Sequence, residues 1–170
     1  MTGLPLDLRI LVTGGTLDKV HDARTEGLAF REDGGSHLAR MLEEARGPEV
    51  AVEILFLKDS LDIDEADRAR ITDAIAAAPE RSILLTHGTS TMGRTARHLA
   101  ERAGRFPDKT VVLTGAMRPF SLADSDASFN LGAAILAAQI LDPGVWGVMN
   151  GRAFPAAALE KNEEAGRFDL

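Results

Sequence analysis

The chain has 170 residues, 45% of them hydrophobic, and a formal charge of −7. That length suits one domain with a proper core, and an acidic chain without a basic block is a poor match for nucleic acid or an anionic membrane. It contains no cysteine, which excludes disulfides, thiolate catalysis and cysteine-based metal sites.

Met1–Arg9 carries no basic segment followed by an apolar run, so no secretory leader is expected. No apolar run approaches membrane-spanning length, and a cytoplasmic protein is expected. Leu8–Thr13 predicts a first strand, and the turn Gly14-Gly15-Thr16 leaves it. Gly14–Gly35 reads as a long polar connection, a kind of segment that is commonly functional or mobile. Ser36 can cap a helix over Ser36–Arg46, stopped by Gly47-Pro48. Val50–Leu57 predicts a second strand, and Asp62 or Asp64 can cap a helix running to Ala78, before Pro79.

Ser82–Thr86 predicts a third strand, followed by a helix from Ser90 to Arg102. Lys109–Thr114 predicts a fourth strand, Asp124–Leu141 an apolar helix, and Val145–Met149 a fifth strand. Gly151–Leu170 reads as a charged tail with room for a last short helix. Short apolar runs alternating with helices imply a parallel sheet covered on both faces. The expected fold is therefore a flavodoxin-like, Rossmann-like doubly wound α/β domain spanning residues 1–170.

The strand ends carry the chemistry. Thr13-Gly14-Gly15-Thr16 and Thr86-His87-Gly88-Thr89-Ser90-Thr91-Met92 place hydroxyls where open α/β sheets hold ligands. A hydroxyl is a weak nucleophile and needs a base nearby. Thr16 is thus a candidate nucleophile, although the same Gly-Gly-Thr could bind phosphate or cap a turn. Backbone N–H groups at the helix start after Thr89 can hold an oxyanion, although Thr89, Ser90 or Thr91 could equally serve as a cap. Ser60, after the second strand, lies on the same edge, where it could equally serve as a cap or turn residue. His21, His37, His87 and His98 fall in no metal-binding spacing; no metal and no cofactor are expected. His87 is expected to buttress its loop.

Together these segments resemble the bacterial-type L-asparaginases. The resemblance rests on Thr13–Thr16, on His87–Met92, and on the Thr114–Pro119 loop leading into Ser125–Leu131. It also rests on Asp59-Ser60, and on Met149-Asn150 followed by Lys161-Asn162. The motifs run in family order over nearly the whole chain.

The resemblance implies that Thr16 attacks the side-chain amide of L-asparagine, giving an acyl-enzyme and ammonia, and that water then releases L-aspartate. It implies that Thr89 and Lys161 form the other half of the site, a lysine shielded from water being able to act as a base. It implies that the Thr89 N–H supports the oxyanion and the Ala116 carbonyl receives the leaving nitrogen. Ser60, with Asp59, Gly88 and Ser90, would bind the substrate.

Four departures accompany the resemblance. The chain corresponds to the family's N-terminal domain, as in short single-domain forms. It has no tyrosine, where the family uses one on its mobile loop; His21 is the candidate substitute, imidazole being the commonest side chain for proton transfer. Ser90 stands where the family has an aspartate that pairs with the substrate ammonium. Leu17-Asp18-Lys19 follows Thr16; Asp18 and Lys19 could order the loop, supply the missing carboxylate, or merely form a surface ion pair. The expected function is an L-asparaginase assembled as a homo-oligomer. The alternatives are a weakened or non-catalytic amino-acid-binding homologue, and an amidase or glutaminase of other specificity.

Overall fold

Apolar runs without polar alternation must bury both faces of a strand, and this requirement organises the molecule. The computed structural model describes residues 6–169, so residues 1–5 of the Met1–Arg9 stretch and Leu170 lie outside it. The central strands are β1 (Leu8–Gly14), β4 (Ala51–Lys58), β5 (Ser82–Thr86), β6 (Thr110–Thr114) and β7 (Gly144–Met149). They run parallel in the order β4-β1-β5-β6-β7. A short strand, β8 (Arg152–Pro155), adds antiparallel at the β7 edge. Counting the parallel strands alone, this is the flavodoxin-like order, with its topological switch between β1 and β5.

Side chains divide by strand periodicity. Leu11, Ile83, Leu85, Val111 and Leu113 join Ile71, Ile75, Ala96 and Leu99 in one cluster. These last four belong to α2 (Glu65–Ala77) and α3 (Met92–Ala100). Ile10, Val12, Leu84 and Val112 face the other way, onto Leu38, Met41, Leu131 and Ala134. The helices on that face are α1 (Leu38–Glu44) and α4 (Ala127–Ile140). Each fully buried Leu or Ile contributes about 1.5–3 kcal/mol of transfer free energy. Asp64 starts α2 through a capping box, accepting from the Asp67 N–H at 2.9 Å while Asp67 accepts from the Asp64 N–H at 3.1 Å.

Two expectations are corrected. The Gly14–Gly35 connection is not structureless: it holds a 3₁₀ turn, Thr16–Asp18, and a hairpin of β2 (Lys19–Asp22) and β3 (Gly27–Phe30). The tail holds no α-helix among the described residues. Its polypeptide forms β8, a 3₁₀ turn at Ala156–Ala158, and a two-residue hairpin of β9 (Lys161–Asn162) and β10 (Arg167–Phe168). Burying Phe154, Leu159 and Phe168 in the α2–α3 cluster draws this segment onto the sheet. None of the described helices is long and apolar enough to cross a membrane.

Candidate active site

The loops leaving β1, β4, β5 and β6 meet backbone to backbone. Gly15 adopts φ 80°, ψ −175°, a region that essentially only glycine occupies. A Cβ there would overlap the Gly88 backbone nitrogen and Cα. A Cβ on Gly88 would in turn stand 2.7 Å from both Cβ and Oγ of Ser60. The Gly15 N–H donates to the Lys58 carbonyl at 3.0 Å, and the His87 N–H to the Thr114 carbonyl at 2.9 Å. Glycine is thus required where these loops touch, and the contacts gather Thr16, Ser60, Gly88 and Thr89 at the carboxyl edge of the sheet, at the switch point.

Thr16 opens the 3₁₀ turn and is partly exposed. Its hydroxyl makes no hydrogen bond among the described residues. Ser60 and Thr89 are buried, and Ser90 is exposed. The Thr91 hydroxyl donates to the Ser60 carbonyl at 2.7 Å, which ties the β5 loop to the β4 loop.

His87 lies beneath this floor. Its Nδ1 is 2.7 Å from the Gly88 carbonyl, which can only accept, so Nδ1 carries the proton. Its Nε2, 2.9 Å from Thr95 Oγ, therefore accepts from that hydroxyl. Thr95 Oγ also receives the Arg68 Nε–H at 3.3 Å. Complete burial lowers the His87 pKa to about 4, so the ring is neutral and buttresses the loop as expected from the sequence.

The β6 loop is clamped separately. The Asp126 carboxylate accepts the Met117 and Arg118 N–H groups, each at 3.0 Å, and the Asn130 amide at 2.9 Å. Buried Asn130 also donates to the Gly115 carbonyl at 3.0 Å and accepts the Asn150 N–H at 3.0 Å. Ala116 is held, buried, between these bonds. Reading from the sequence alone missed the clamp; its signal is the acid at the start of α4.

Asp18 and Lys19 do not form a local pair. Asp18 is buried and accepts from Ser36 Oγ at 2.7 Å and the His37 N–H at 2.9 Å, its other oxygen having no partner among the described residues. Burial raises the Asp18 pKa against those two bonds. Lys19 instead crosses to Asp59. That bond, with the Leu61 N–H, holds the Asp59 carboxyl below its usual range.

Two further candidates make no hydrogen bond to these residues. Lys161 lies in β9, 14% exposed, ion-paired with Glu163 at 2.9 Å and not hydrogen-bonded to Thr89. The preceding Leu159 carbonyl packs where a Cβ on Gly93 would fall, so the Lys161 segment is docked on the first turn of α3. His21 is exposed on β2, opposite Leu28. No group of three or more His, Asp or Glu side chains set to hold a metal occurs among the described residues. A surface groove lined by Leu6, Leu8, Val50, Ala51 and Pro79 lies at the amino ends of β1 and β4, the opposite end of the sheet.

Residues 7–168 match the family model "Asparaginase, N-terminal". An L-asparaginase of Thermococcus kodakarensis is 32% identical over 143 residues, 83% of this chain and 43% of that protein. A subunit of the glutamyl-tRNA(Gln) amidotransferase of Aeropyrum pernix is 31% identical over 133 residues, 76% of this chain and 31% of that protein. The crystal structure of a probable cytoplasmic L-asparaginase from Campylobacter jejuni superposes with a TM-score of 0.76 at 26% identity, covering 92% of this chain and 49% of that one. The chain spans less than half the length of these relatives.

Proposed function

The chain belongs to the asparaginase family through its N-terminal domain, and on that premise we propose that it hydrolyses L-asparagine to L-aspartate and ammonia. The observation that supports this most is the stacking of Gly15 on Gly88 and of Gly88 on Ser60, which draws three hydroxyl-bearing loops together.

In this reading Thr16 Oγ attacks the side-chain amide carbon. Its proton passes to a base, the C–N bond breaks, and nitrogen leaves as ammonia with that proton. Water then cleaves the acyl ester, returning Thr16 and releasing aspartate. Lys161 exchanges Glu163 for Thr89 and acts as the base, with the Thr89 N–H opposite the oxyanion. The Ala116 carbonyl receives the leaving nitrogen. Ser60, Asp59, Gly88 and Ser90 line the head-group end. His21, on the hairpin after Thr16, assists the nucleophile.

The likeness to an amidotransferase component favours one second reading, an amidase of other acyl specificity. Ammonia release from asparagine and from glutamine separates the two. Release from neither, with measurable binding of asparagine, would leave a binding protein. Ser90→Asp should lower KM for asparagine about tenfold or more, if this position faces the ammonium; an unchanged KM removes Ser90 from the site.

Self-association and a cytoplasmic setting belong to the same reading. The uncharged outer face of α4 exposes Phe129, Leu136 and Ile140 on a chain of charge −7, and an uncharged face is where two such copies can meet without apposing like charges. A monomer mass in sedimentation would remove that part.

A further inference from the structure

We infer that the Lys19–Asp59 ion pair is the receptor for the zwitterionic head group of the substrate, Lys19 taking the α-carboxylate and Asp59 the α-ammonium. The inference rests on the amidohydrolase reading and adds Lys19 to its binding residues.

Geometry places the pair at the site. Lys19 closes the 3₁₀ turn that Thr16 opens, its N–H donating to the Thr16 carbonyl. Side chains three apart in a 3₁₀ turn eclipse one another, so Thr16 and Lys19 leave the turn on one side. Lys19 then reaches Asp59, the residue before Ser60. The pair therefore joins the loop of the candidate nucleophile to the loop that packs on Gly88.

The backbone beside Lys19 is hydrogen-bonded to the loop after β6. The Lys19 carbonyl accepts Ser121 Oγ–H at 3.0 Å, and the Leu17 carbonyl accepts the Phe120 N–H at 3.3 Å. Asp18 is pinned to the start of α1. The Lys19 ammonium lies 5.7 Å from the centre of the Phe30 ring, a cation–π distance. The Lys19 side chain is 16% exposed and that of Asp59 36%. Two opposite charges are thus held half out of water, side by side.

The neighbouring charges are committed elsewhere. Asp126 is consumed by two backbone N–H groups and Asn130. Lys58 is bound by Asp67 at 2.7 and 2.8 Å. Asp18 serves α1, and Lys161 is taken up as the base of the reading on which this inference rests. Asp62, exposed on the turn after Asp59, is the remaining nearby carboxylate. An amino-acid head group carries one positive and one negative charge. Inserted between Lys19 and Asp59, it replaces each partner by one of the same sign, so neither charge is left uncompensated.

Two truncated amides test the assignment. Succinamate lacks the α-ammonium of asparagine, and β-alaninamide lacks its α-carboxylate. Lys19→Met should raise KM about ten- to a hundredfold for asparagine and succinamate and leave β-alaninamide unchanged. Asp59→Asn should do so for asparagine and β-alaninamide and leave succinamate unchanged. The charge-swapped double variant, Lys19→Asp with Asp59→Lys, restores a tether between the loops while reversing the receptor. It should melt near the parent temperature yet fail to recover KM for asparagine. Equal effects on all three amides, or recovery by the swap, would mean a structural tether and overturn the inference while asparagine hydrolysis stands. Ammonia from none of the three with the parent protein would overturn the hydrolase reading, and this inference with it.

Discussion

The loop after β5 and the hairpin β2–β3 flank the same candidate nucleophile and are held in opposite ways. His87–Thr89 is buried, its imidazole bonded at both nitrogens and its Gly88 stacked against two other loops. No residue of the hairpin is buried, and the ion pairs Arg24–Glu32 and Arg31–Asp33, at its turn side and just after it, lie in solvent. Buried, fully bonded polar groups rigidify a structure, whereas exposed ion pairs contribute little. One wall of the site is therefore preorganised, and the other can rearrange around a ligand at small cost. Thr16 and Lys19 sit at the seam between them.

The largest effect separates chemistry from scaffold. Thr16→Ala should reduce ammonia release at least about 10⁴-fold while leaving the melting temperature unchanged; retained turnover would move the nucleophile elsewhere. On the rigid side, Gly15→Ala forces a side chain into the Gly88 backbone at a positive φ. Denaturant unfolding should show a loss of about 3 kcal/mol or more. A loss under about 1 kcal/mol would mean that the two loops are not in contact.

The third effect is a pH dependence. The folded pKa of His87, about 4, lies below its ordinary 6.5 because burial opposes the charged ring. Between those values the unfolded chain binds a proton that the folded one refuses. This contribution to stability is complete above pH 6.5 and is lost as pH falls toward 4, by about 3 kcal/mol. His87→Gln should flatten that slope even though it weakens the fold; an unaltered slope would place the proton on another group. The smallest effect lies on the hairpin. Arg24→Ala removes its exposed bonds to Asp22 and Glu32 and should leave the melting temperature unchanged within error. A clear drop would show the hairpin to be as firmly built as the β5 loop, and the comparison would fail.

Legibility in the sequence followed burial. Ser82–Thr86, Thr110–Thr114 and the Asp64 cap were readable because a doubly covered strand and a capped helix leave local patterns. The hairpin was not, since four-residue strands facing solvent carry no apolar alternation. The β9–β10 pairing was hidden too, being only two residues long on each side. At the site, the hydroxyls on the strand ends were visible as local Thr-Gly signals. The Lys19–Asp59 pair spans forty residues, and no local pattern announces which of Asp18 or Asp59 receives the lysine. The burial of Asp18 against α1 decides it, and only folding produces that burial.

The most direct test of the account is the intact mass of the protein after acid quenching during turnover of asparagine. The account predicts a fraction of the parent protein heavier by one aspartyl group, mapped by peptide fragmentation to Thr16 and missing from Thr16→Ala. Turnover with no adduct at any quench time, or an adduct mapped to another residue, would contradict it.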